Sequence, residues 1–465
     1  MRKELEEYVR GLDLDAYLVG GAVRDELLGV DWKDADFLVP GVDTAELKER
    51  LAPHGKVDDL IVADRLVGVR LYPRDPGIRA LVPAGIEFAP PRREESTGPG
   101  RHDFVIVADP SLSVEDDMRR RDFTINAMAR RVGSADLVDP SGGRADLDAG
   151  ILRTVTERSF AEDPLRLVRG LRFVSQLDVE PDEETLRQLR EQAASVRLVS
   201  GERVGGGLHA DGLGELSKLL LGAHPGKALR LARDTGVLAE LLPELAPSVG
   251  FDQESRFHEL PLDEHIFMAV QFSADRDLPL RVRLAALFHD AGKPASAWRD
   301  EQGRAHYYEH DGPGHEEVGA GLTEAALRRL RYPTSLRTRV VQIVRHHMVG
   351  IGNYDARRAR KMLARFGEEL ALDLLDHRAA DVAAKRDPDR RLAQIAAFRI
   401  LVEQERSSAH RVGDLAVDGS DLIALGFTPG PALGRALDTL VREVVDDPEL
   451  NRRDRLEQRA RELLA

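Results

Sequence analysis

The stretch that decides the fold is LVGGAVRDELLGVDWKDADFLV at residues 18–39. A short apolar run ends in Gly20-Gly21, and a second apolar run carries Asp34 and Asp36. Because successive side chains of a strand point to opposite faces, we expect Asp34 and Asp36 to share one face. Two carboxylates so placed suit one or two Mg²⁺ ions, and a two-metal clamp is a standard means of in-line displacement at phosphorus.

Gly20, Gly21 and Arg24 add a phosphate-binding pattern to the two aspartates. Paired glycines at the end of a strand let backbone N–H groups come close to a triphosphate. Arg24 follows one turn into the predicted helix, where its guanidinium can donate charge-assisted hydrogen bonds to phosphate. A D-x-D pair alone is common on exposed strands, but this combination of spacings favours a nucleotide site.

The same segment resembles the first motif of the class II tRNA nucleotidyltransferases, the CCA-adding enzymes, and of the related bacterial poly(A) polymerases. Both groups belong to the polymerase-β-like nucleotidyltransferase superfamily. The resemblance implies that Asp34 and Asp36 hold catalytic Mg²⁺ and that Gly21 and Arg24 contact the nucleotide. Glu87, on a neighbouring predicted strand, is either a third carboxylate of this set or an exposed strand residue.

Residues 119–131, RRRDFTINAMARR, are similar to the second motif of this family. The resemblance implies that Asp122 accepts a hydrogen bond from a ribose hydroxyl while Arg121 donates to the sugar. Such a contact distinguishes ribonucleotides from deoxyribonucleotides. A basic amphipathic helix is the alternative interpretation of the same residues.

Residues 162–173, EDPLRLVRGLRF, predict how the base is chosen. Asp163 and Arg166 are three residues apart on a predicted helix, and an aspartate only accepts hydrogen bonds while an arginine only donates them. Such a pair matches the edges of cytosine and adenine and rejects uracil and guanine. Arg169 and Arg172 resemble further nucleotide-contacting positions of the family. Asp163 stands before a proline and is also a good helix N-cap, and one carboxylate has room for both roles.

A histidine-rich set follows in the second half of the chain. The run RLAALFHDAGKP at residues 283–294 places His-Asp at the end of an apolar helix and resembles the HD phosphohydrolase superfamily. The resemblance implies one divalent ion on His265, His289, Asp290 and Asp381, and a second within reach of His315 and His347. His346 is the alternative to His347, and Asp376 is a rival to Asp381.

The metal and the activity of this second site stay open. Imidazole and carboxylate ligands suit Ni²⁺, Mn²⁺, Co²⁺, Fe²⁺ or Mg²⁺, and a metal-bound water is a nucleophile for phosphorus. A helical HD fold retained as a scaffold without turnover is the alternative.

The composition of the chain excludes several classes of protein and of functional site. The chain has 465 residues, a net charge of −14 and no cysteine, which excludes disulfides, thiolate zinc sites and cysteine nucleophiles. No apolar run approaches the ~18 residues of a membrane helix, so we expect no membrane partner and a cytoplasmic location. The acidic balance argues against a non-specific nucleic-acid coat but permits a nucleic-acid enzyme with local basic patches.

The expected fold class is α+β: a polymerase-β-like head with a small mixed sheet, followed by an all-α neck, body, HD domain and tail. Residues 91–101, PRREESTGPGR, predict a mobile loop. The expected domains are a nucleotidyltransferase head at 1–150, a neck and RNA-binding region at 151–250, the HD domain at 251–385 and a helical tail at 386–465.

One segment departs from the family pattern. Gly205, Gly206 and Gly207 follow Glu202-Arg203, where family members carry a bulky acidic helix. Each glycine weakens a helix by ~1 kcal/mol relative to alanine. We therefore expect altered geometry in this part of the neck.

The sequence thus predicts template-independent addition of C, C and A to the 3′ end of tRNA from CTP and ATP, with Mg²⁺ in the head. An additional metal-dependent phosphohydrolase or 2′,3′-cyclic phosphodiesterase activity is expected of the HD domain. Addition of A only, addition of CC only and poly(A) synthesis are alternatives within the superfamily. An alternative of another class is an HD phosphohydrolase whose head only positions RNA. The oligomeric state does not follow from the sequence.

Overall fold

The structure is a computed structural model that describes residues 3–30, 35–62, 65–96, 104–206, 212–254, 259–349 and 354–464. The chain forms two compact units. The first comprises Met1–Val204 and Leu231–Leu241, and the second comprises Gly205–Arg230 and Leu242–Ala465. Among the described residues, none of the helices is both long and apolar enough to span a bilayer. The α+β class, with a sheet in the head and helices in the remainder, is confirmed.

Nine strands belong to the head. They are β1 (Tyr17–Val19), β2 (Ala35–Leu38), β3 (Gly55–Val62), β4 (Arg65–Pro73), β5 (Ile86–Ala89), β6 (Arg92–Ser96), β7 (Phe104–Ala108), β8 (Ala129–Arg131) and β9 (Leu137–Val138). Seven of them form one sheet in the order β3-β4-β5-β2-β1-β8-β9. In this sheet β2 and β5 run parallel, and the other described neighbours are antiparallel. The sheet is therefore mixed, as the sequence predicts.

Strand β2 lies in the middle of this sheet and presents two different faces. Ala35 and Phe37 are buried, and Phe37 stacks on Phe88 of β5 with ring centroids 5.4 Å apart. Asp36 is half-buried and lies in register with Glu87 of β5. Because side chains alternate along a strand, burial of the aromatic pair fixes Asp36 on the opposite face.

The prediction of a mobile loop at residues 91–101 is wrong for residues 92–96. Residues 92–96 form β6, which pairs antiparallel with β7, and the backbone N–H of Arg92 donates to Asp117. The charged sequence RREES has no apolar alternation, so the strand exists because a partner strand satisfies its backbone groups. Residues 97–101 of the predicted loop lie outside the described residues. Strand β3 was also missing from the sequence prediction, because its run GKVDDLIV includes Gly55, Asp58 and Asp59.

The first nine described α-helices lie before residue 193. They are α1 (Lys3–Arg10), α2 (Gly21–Leu27), α3 (Thr44–Leu51), α4 (Pro76–Leu81), α5 (Val114–Arg119), α6 (Gly143–Ala149), α7 (Ser159–Glu162), α8 (Leu165–Leu177) and α9 (Glu183–Gln192). A short parallel pair, β10 (Ile151–Leu152) and β11 (Glu180–Pro181), flanks α8 in the sequence. Helix α8 buries Leu167, Leu171 and Val174, which recur at helical spacing.

The remaining helices are α10 (Glu215–Leu220), α11 (Pro225–Asp234), α12 (Val237–Leu241), α13 (Leu262–Asp275), α14 (Leu280–Phe288), α15 (Lys293–Ser296), α16 (His315–Arg329), α17 (Thr334–His346), α18 (Ala356–Ala383), α19 (Asp389–Gln404), α20 (Gly419–Ala424), α21 (Pro431–Asp446) and α22 (Arg453–Leu464). A two-stranded hairpin, β12 (Trp298–Arg299) and β13 (Ala305–His306), follows α15. Residues Val282–Phe288 of α14 are all buried, and this helix packs against α13, α17 and α18. A helix that is buried all round is a central helix, so its end carries His289 and Asp290 into the core of the second unit.

The glycines that interrupt the family pattern allow a close backbone approach. A π-helical turn spans Glu202–Gly206. A Cβ on Gly205 would lie 2.6 Å from the carbonyl oxygen of Leu330 and 2.5 Å from the ring of Tyr332. The backbone N–H of Gly206 donates to the same carbonyl at 3.1 Å. Glycine is required here because no side chain fits between these backbones. Gly207 lies outside the described residues.

We expect Gly205→Ala to lower the free energy of unfolding by about 1–3 kcal/mol, because the added methyl group overpacks the contact with Leu330 and Tyr332. Gly321→Ala is the matched control, since Gly321 is exposed within α16 and no atom lies within 4 Å of its Cβ position. That control should be neutral or stabilising by about 0.5–1 kcal/mol. Urea unfolding followed by circular dichroism measures both. Equal stability of Gly205→Ala and the wild type would contradict the packing argument.

Candidate active sites in the two units

Asp36 is the described member of the predicted carboxylate pair, and Asp34 lies outside the described residues. Asp36 stands beside Glu87 in neighbouring parallel strands. Glu87 accepts hydrogen bonds from Arg70, including one from its Nε at 3.2 Å. The structure therefore brings Asp36 and Glu87 together, with the charge of Glu87 balanced by an arginine. Carboxylate oxygens are ligands that suit Mg²⁺.

The first and second motifs meet at the end of β1. Arg24 Nη1 donates to Asn126 Oδ1 at 2.7 Å, and its Nε donates to Asp25 at 2.9 Å. Gly20 has a φ of +68°, and a Cβ there would lie 2.5 Å from a guanidinium nitrogen of Arg121. Glycine at position 20 thus allows the left-handed backbone conformation and leaves room for the guanidinium of Arg121.

Asp117 organises the arginines next to the second motif, although the sequence reasoning missed it. Its side chain is fully buried and accepts from Arg120 Nη2 at 2.6 Å and from Arg121 Nη2 at 3.2 Å. Burial alone would raise the pKa of Asp117, but the nearby guanidiniums of Arg120 and Arg121 outweigh burial and lower it. The available signal was an acidic residue one helical turn before a run of arginines.

Asp122 is tied to Arg169 of α8, and Arg121 is tied to Asp117. Asp122 Oδ2 accepts from Arg169 Nε at 2.8 Å, and Asp122 Oδ1 accepts from the backbone N–H of Phe123 at 2.9 Å. Burial opposes ionisation of Asp122, but Arg169 overrides it and lowers the pKa of this carboxyl from 3.8 to about 2. Arg121 and Asp122, the two predicted sugar-contacting residues, are therefore adjacent in the chain but are not paired with each other.

Three predicted nucleotide-binding arginines surround one buried aromatic ring. The guanidinium carbons of Arg24, Arg169 and Arg172 lie 5.4, 5.8 and 4.3 Å from the ring centroid of Phe173. Phe173 packs edge-on against Phe123, with centroids 5.6 Å apart. Cation–π attraction to Phe173 thus holds the guanidinium of Arg24, from the first motif, close to those of Arg169 and Arg172, from α8.

Asp163 and Arg166 do not share a helix face, so this part of the sequence prediction is wrong. Asp163 is extended, with a φ of −139°, because the proline after it disfavours the α conformation. Its carboxylate accepts the backbone N–H of Leu165 at 3.0 Å and pairs with Arg203 Nη2 at 2.8 Å. Asp163 therefore accepts a backbone N–H at the start of α8 from just outside the helix, where Pro164 is the N-cap residue, and Arg203 is a partner that sequence reasoning missed.

Arg166 is anchored by a different set of acceptors. Its Nη1 donates to the carbonyl of Ser159 and to Glu162, each at 3.2 Å, and its Nη2 donates to the carbonyl of Arg120 at 3.1 Å. Only 9% of Arg166 is exposed. Its guanidinium is consequently held in one orientation between α7 and the second motif.

The second candidate site gathers all six predicted ligands in the core of the second unit. The helices α13, α14, α16, α17 and α18 each carry at least one of them within the helix or at its end. Each of the six is at most 4% exposed: His265, His289, Asp290, His315, His347 and Asp381. Buried histidines and aspartates from five helices thus form one cluster, as the resemblance to the HD superfamily implies.

The four imidazoles are oriented by backbone carbonyls. Nδ1 of His265 lies 3.1 Å from the carbonyl oxygen of Ala384, and Nδ1 of His289 lies 2.9 Å from that of Ala286. Nδ1 of His315 lies 2.9 Å from the carbonyl oxygen of Tyr307, and Nδ1 of His347 lies 2.6 Å from that of Val344. A ring nitrogen next to a carbonyl oxygen must carry the proton. In the neutral ring each Nε2 then keeps a lone pair, and all four Nε2 atoms lie within 3.6 Å of a carboxylate oxygen of Asp290. Burial would lower the pKa of His265, but Asp290 and Asp381 raise it, so a proton is an alternative to a metal ion at its Nε2.

The inward lone pairs create a site for cations. Nε2 of His265 lies 3.2 Å from Nε2 of His289, and Nε2 of His315 lies 3.2 Å from Nε2 of His347. When both rings of such a pair are neutral with the proton on Nδ1, the two Nε2 acceptors repel unless a proton or a metal ion lies near both. Two groups of three ligands, whose coordinating atoms lie within 4.8 Å of one another, share Asp290. This donor set fits divalent transition metals.

Lysines balance the two buried aspartates. Lys293 Nζ lies 2.7 Å from Asp290 Oδ2, and Lys385 Nζ lies 2.6 Å from Asp381 Oδ1. Burial would raise the pKa of Asp290 and Asp381, but the neighbouring histidines and lysines keep both well below the usual value. Both carboxylates are therefore ionised and able to ligate a metal ion.

The two rival residues lie outside this cluster. His346 packs on Phe366, with ring centroids 5.1 Å apart, and Asp376 accepts a hydrogen bond from Arg399. His377, which is not among the six predicted ligands, is fully buried, and its ring centroid lies 5.0 Å from that of His289. Its position four residues before Asp381 on α18 was the signal that could have found it.

Three family models match successive parts of the chain. Residues 16–153 match the poly A polymerase head domain, residues 178–249 match the probable RNA and SrmB-binding site of polymerase A, and residues 262–397 match the HD domain. The first match contains Asp36, Asp117 and Asp122, and the third contains the histidine and aspartate cluster, whereas α8 lies between the first two matches. The head and HD domain types imply dependence on divalent metal ions.

Curated relatives decide the family. The chain is similar to the multifunctional CCA protein of Ralstonia nicotianae, with 36% identity over 350 residues that cover 72% of each protein. It is 35% identical to the A-adding tRNA nucleotidyltransferase of Deinococcus radiodurans over 445 residues, which cover 91% of this chain and 90% of that protein. The chain belongs to the class II CCA-adding enzyme family.

Solved structures of CCA-adding enzymes share the fold. The Bacillus stearothermophilus CCA-adding enzyme in complex with CTP has a TM-score of 0.70 and 25% identity, and the match covers 99% of this chain and 95% of that one. The Thermotoga maritima CCA-adding enzyme complexed with tRNA has a TM-score of 0.59 and 19% identity, with 99% and 94% covered. The similarity extends over the head and the HD region alike.

The ionised carboxylate of Asp122 should make the stability of this CCA-adding family member pH-dependent. A carboxyl whose folded pKa is about 2, below its ordinary 3.8, stabilises the fold fully above about pH 4 and loses that contribution as pH falls to 2. The wild type should therefore lose about 2 kcal/mol more free energy of unfolding than Asp122→Asn over this range. Urea unfolding at several pH values measures the difference.

Asp58→Asn is the control for this measurement, because Asp58 lies at the surface of β3 and pairs with Lys56. That variant should follow the pH dependence of the wild type. A parallel pH dependence for Asp122→Asn and the wild type would show that the ion pair with Arg169 does not govern this stability.

Proposed function

We propose that this protein adds C, C and A to the 3′ end of tRNA from CTP and ATP, without a nucleic-acid template and with release of pyrophosphate. The observation that carries the proposal is the position of Asp36 on the strand next to β1, at whose end Arg24, Arg121, Asp122 and Arg169 converge. The relatives named as CCA proteins support the same reaction.

The residues of the head divide the chemistry among them. Asp34 and Asp36 would hold Mg²⁺, which lowers the pKa of the attacking 3′-hydroxyl and neutralises charge on the triphosphate. Gly21 and Arg24 bind the phosphates, and Arg169 and Arg172 add positive charge beside Phe173. The carboxylate of Asp122 accepts from a ribose hydroxyl while Arg121 donates to the sugar, which selects ribonucleotides.

Asp163 and Arg166 read the base in this proposal. Asp163 accepts from the exocyclic amino group of cytosine or adenine, and Arg166 donates to the ring nitrogen acceptor beside it. The contacts of Asp163 with Arg203 and of Arg166 with Glu162 support this role, because side chains held in one orientation discriminate better than mobile ones. Incorporation of UTP as readily as CTP by the wild type would contradict this assignment.

Addition of A alone is the second candidate function, and one observation favours it. The A-adding relative matches 91% of this chain, whereas the multifunctional CCA protein of Ralstonia nicotianae matches 72%. Two tRNA substrates distinguish the candidates, one ending at the discriminator base and one ending in CC. Full CCA addition extends both with CTP and ATP, while an A-adding enzyme extends only the second. Products that end at CC, or long A tails, would indicate the CC-adding or poly(A) alternative.

Asp36→Ala should lower nucleotide incorporation by about a thousandfold or more, because a carboxylate of the proposed Mg²⁺ site is lost. Asp58→Ala is the matched control, since it removes an exposed aspartate from another strand of the same sheet and should leave the rate unchanged. Radiolabelled ATP and CTP incorporation into tRNA measures both. Full activity of Asp36→Ala would overturn the assignment of the site.

We also propose that the HD domain is a metal-dependent phosphohydrolase that includes 2′,3′-cyclic phosphodiesterase activity. Its six proposed ligands would hold Ni²⁺, Mn²⁺, Co²⁺ or Mg²⁺, and a metal supplies an activated water for attack on phosphorus. The inward Nε2 atoms and the shared Asp290 support this proposal. The side chains bind the ion and exclude bulk water, since all six are buried.

His347→Ala should abolish hydrolysis of 2′,3′-cyclic AMP, while His346→Ala should retain it, because His347 faces the cluster and His346 packs on Phe366. Each variant is assayed with each of the four metals, and Asp36→Ala should keep the full rate. Absence of hydrolysis by the wild type with every metal would favour the scaffold alternative. Nucleotide incorporation that survives Asp36→Ala but fails in Asp290→Ala would favour the phosphohydrolase whose head only positions RNA.

We further propose a cytoplasmic location, because tRNA and the nucleoside triphosphates are substrates of that compartment. The acidic net charge of −14 is compatible with tRNA binding when basic side chains are grouped, as Arg24, Arg169 and Arg172 are around Phe173.

A further inference from the structure

His377 is a buried histidine beside the HD cluster that no predicted role accounts for. It lies on α18, is 0% exposed and precedes Asp381 by one helical turn, so both residues project from the same face of the helix. Within the part of the chain that the structure describes, neither its Nδ1 nor its Nε2 has a hydrogen-bond partner. The other four buried imidazoles of the cluster each have a carbonyl oxygen next to Nδ1.

The ring of His377 is packed between ligands of the two proposed ions. Its centroid lies 5.0 Å from that of His289 and 5.7 Å from that of His347, with edge-on angles of 70° and 69°. A phenylalanine makes such ring contacts equally well, so packing does not explain an imidazole at this position. A buried polar group without a partner is costly, and a missing ion is one of the few explanations for it.

The two proposed ions differ in their number of protein ligands. His265, His289, Asp290 and Asp381 give the first ion four, whereas Asp290, His315 and His347 give the second ion three. His377 belongs to neither group of ligand atoms within 4.8 Å of one another, so it must approach when the ion binds.

We propose that His377 is a further metal ligand and completes the coordination of the ion held by Asp290, His315 and His347. The inference rests on the proposed metal centre of the HD domain. It assigns His377 to metal binding, and it predicts that an apolar ring at this position improves the metal-free protein while it weakens the metal-bound one.

The test compares the full-length wild type with His377→Phe, which keeps the ring volume and removes both nitrogens. Chelator-treated proteins are titrated with Mn²⁺ and with Co²⁺, and bound ions per chain are counted by mass spectrometry of the metal. We expect two ions in the wild type, and in the variant we expect the loss of one ion or at least about a tenfold loss of its affinity. The melting temperature of the metal-free variant should exceed that of the metal-free wild type by about 2–4 °C.

His346→Phe is the matched control, because His346 precedes the ligand His347 and contacts Phe366 instead of the cluster. It should keep both ions with wild-type affinity. His377→Asn is a second variant that retains polarity, and it should also lose one ion without the gain in metal-free stability. These readouts are ion counts and melting temperatures, so they do not depend on hydrolytic activity.

The outcomes separate this inference from the function on which it rests. A wild type that binds neither Mn²⁺ nor Co²⁺ would overturn the metal centre itself. A wild type with two ions and a His377→Phe protein with the same two at equal affinity would overturn only the role of His377. Failure of His377→Phe to fold would also count against the inference, because an unpartnered imidazole should be replaceable by an apolar ring of the same size.

Discussion

The burial of carboxylates next to fixed cationic groups is the constraint on which both units depend. An ionised carboxylate in a protein interior costs several kcal/mol unless it is paired and hydrogen-bonded. In the head, Asp122 meets this requirement through Arg169, and that pair ties the second motif to α8. The same helix then supplies Arg172 beside Phe173, so one ion pair determines where the positive charge for a triphosphate lies.

The second unit meets the same constraint with imidazoles and lysines. Asp290 lies among His289, His315 and His347 and is paired with Lys293. The carbonyl oxygens next to each Nδ1 favour the tautomer in which the Nε2 lone pairs face one another, and that arrangement is stabilised by a proton or a metal ion between them. The six proposed ligands are thus oriented for a metal ion before it binds, and this preorganisation is a physical reason for polar residues in the core of the domain.

Some features of the head could be predicted from the sequence, and others could not. The position of Asp36 in a strand, with Phe37 on the buried face, follows from period-two alternation and could be predicted. The pairing of Asp163 with Arg203 could not, because the proline after Asp163 removes it from the helix and forty residues separate the two partners. Strand β6 was missed for a similar reason, since its charged residues pair only because β7 lies beside them.

The sequence by itself determined the α+β class through local periodicity, and it indicated the family and the residues that can carry chemistry through the resemblance of its motifs. Tertiary structure alone decided which charges are paired: Asp117 with the arginines of the second motif, Asp122 with Arg169, and His377 beside His289 without a hydrogen-bond partner among the described residues. Pairing depends on distances between residues far apart in the chain, and the packing of buried side chains sets those distances.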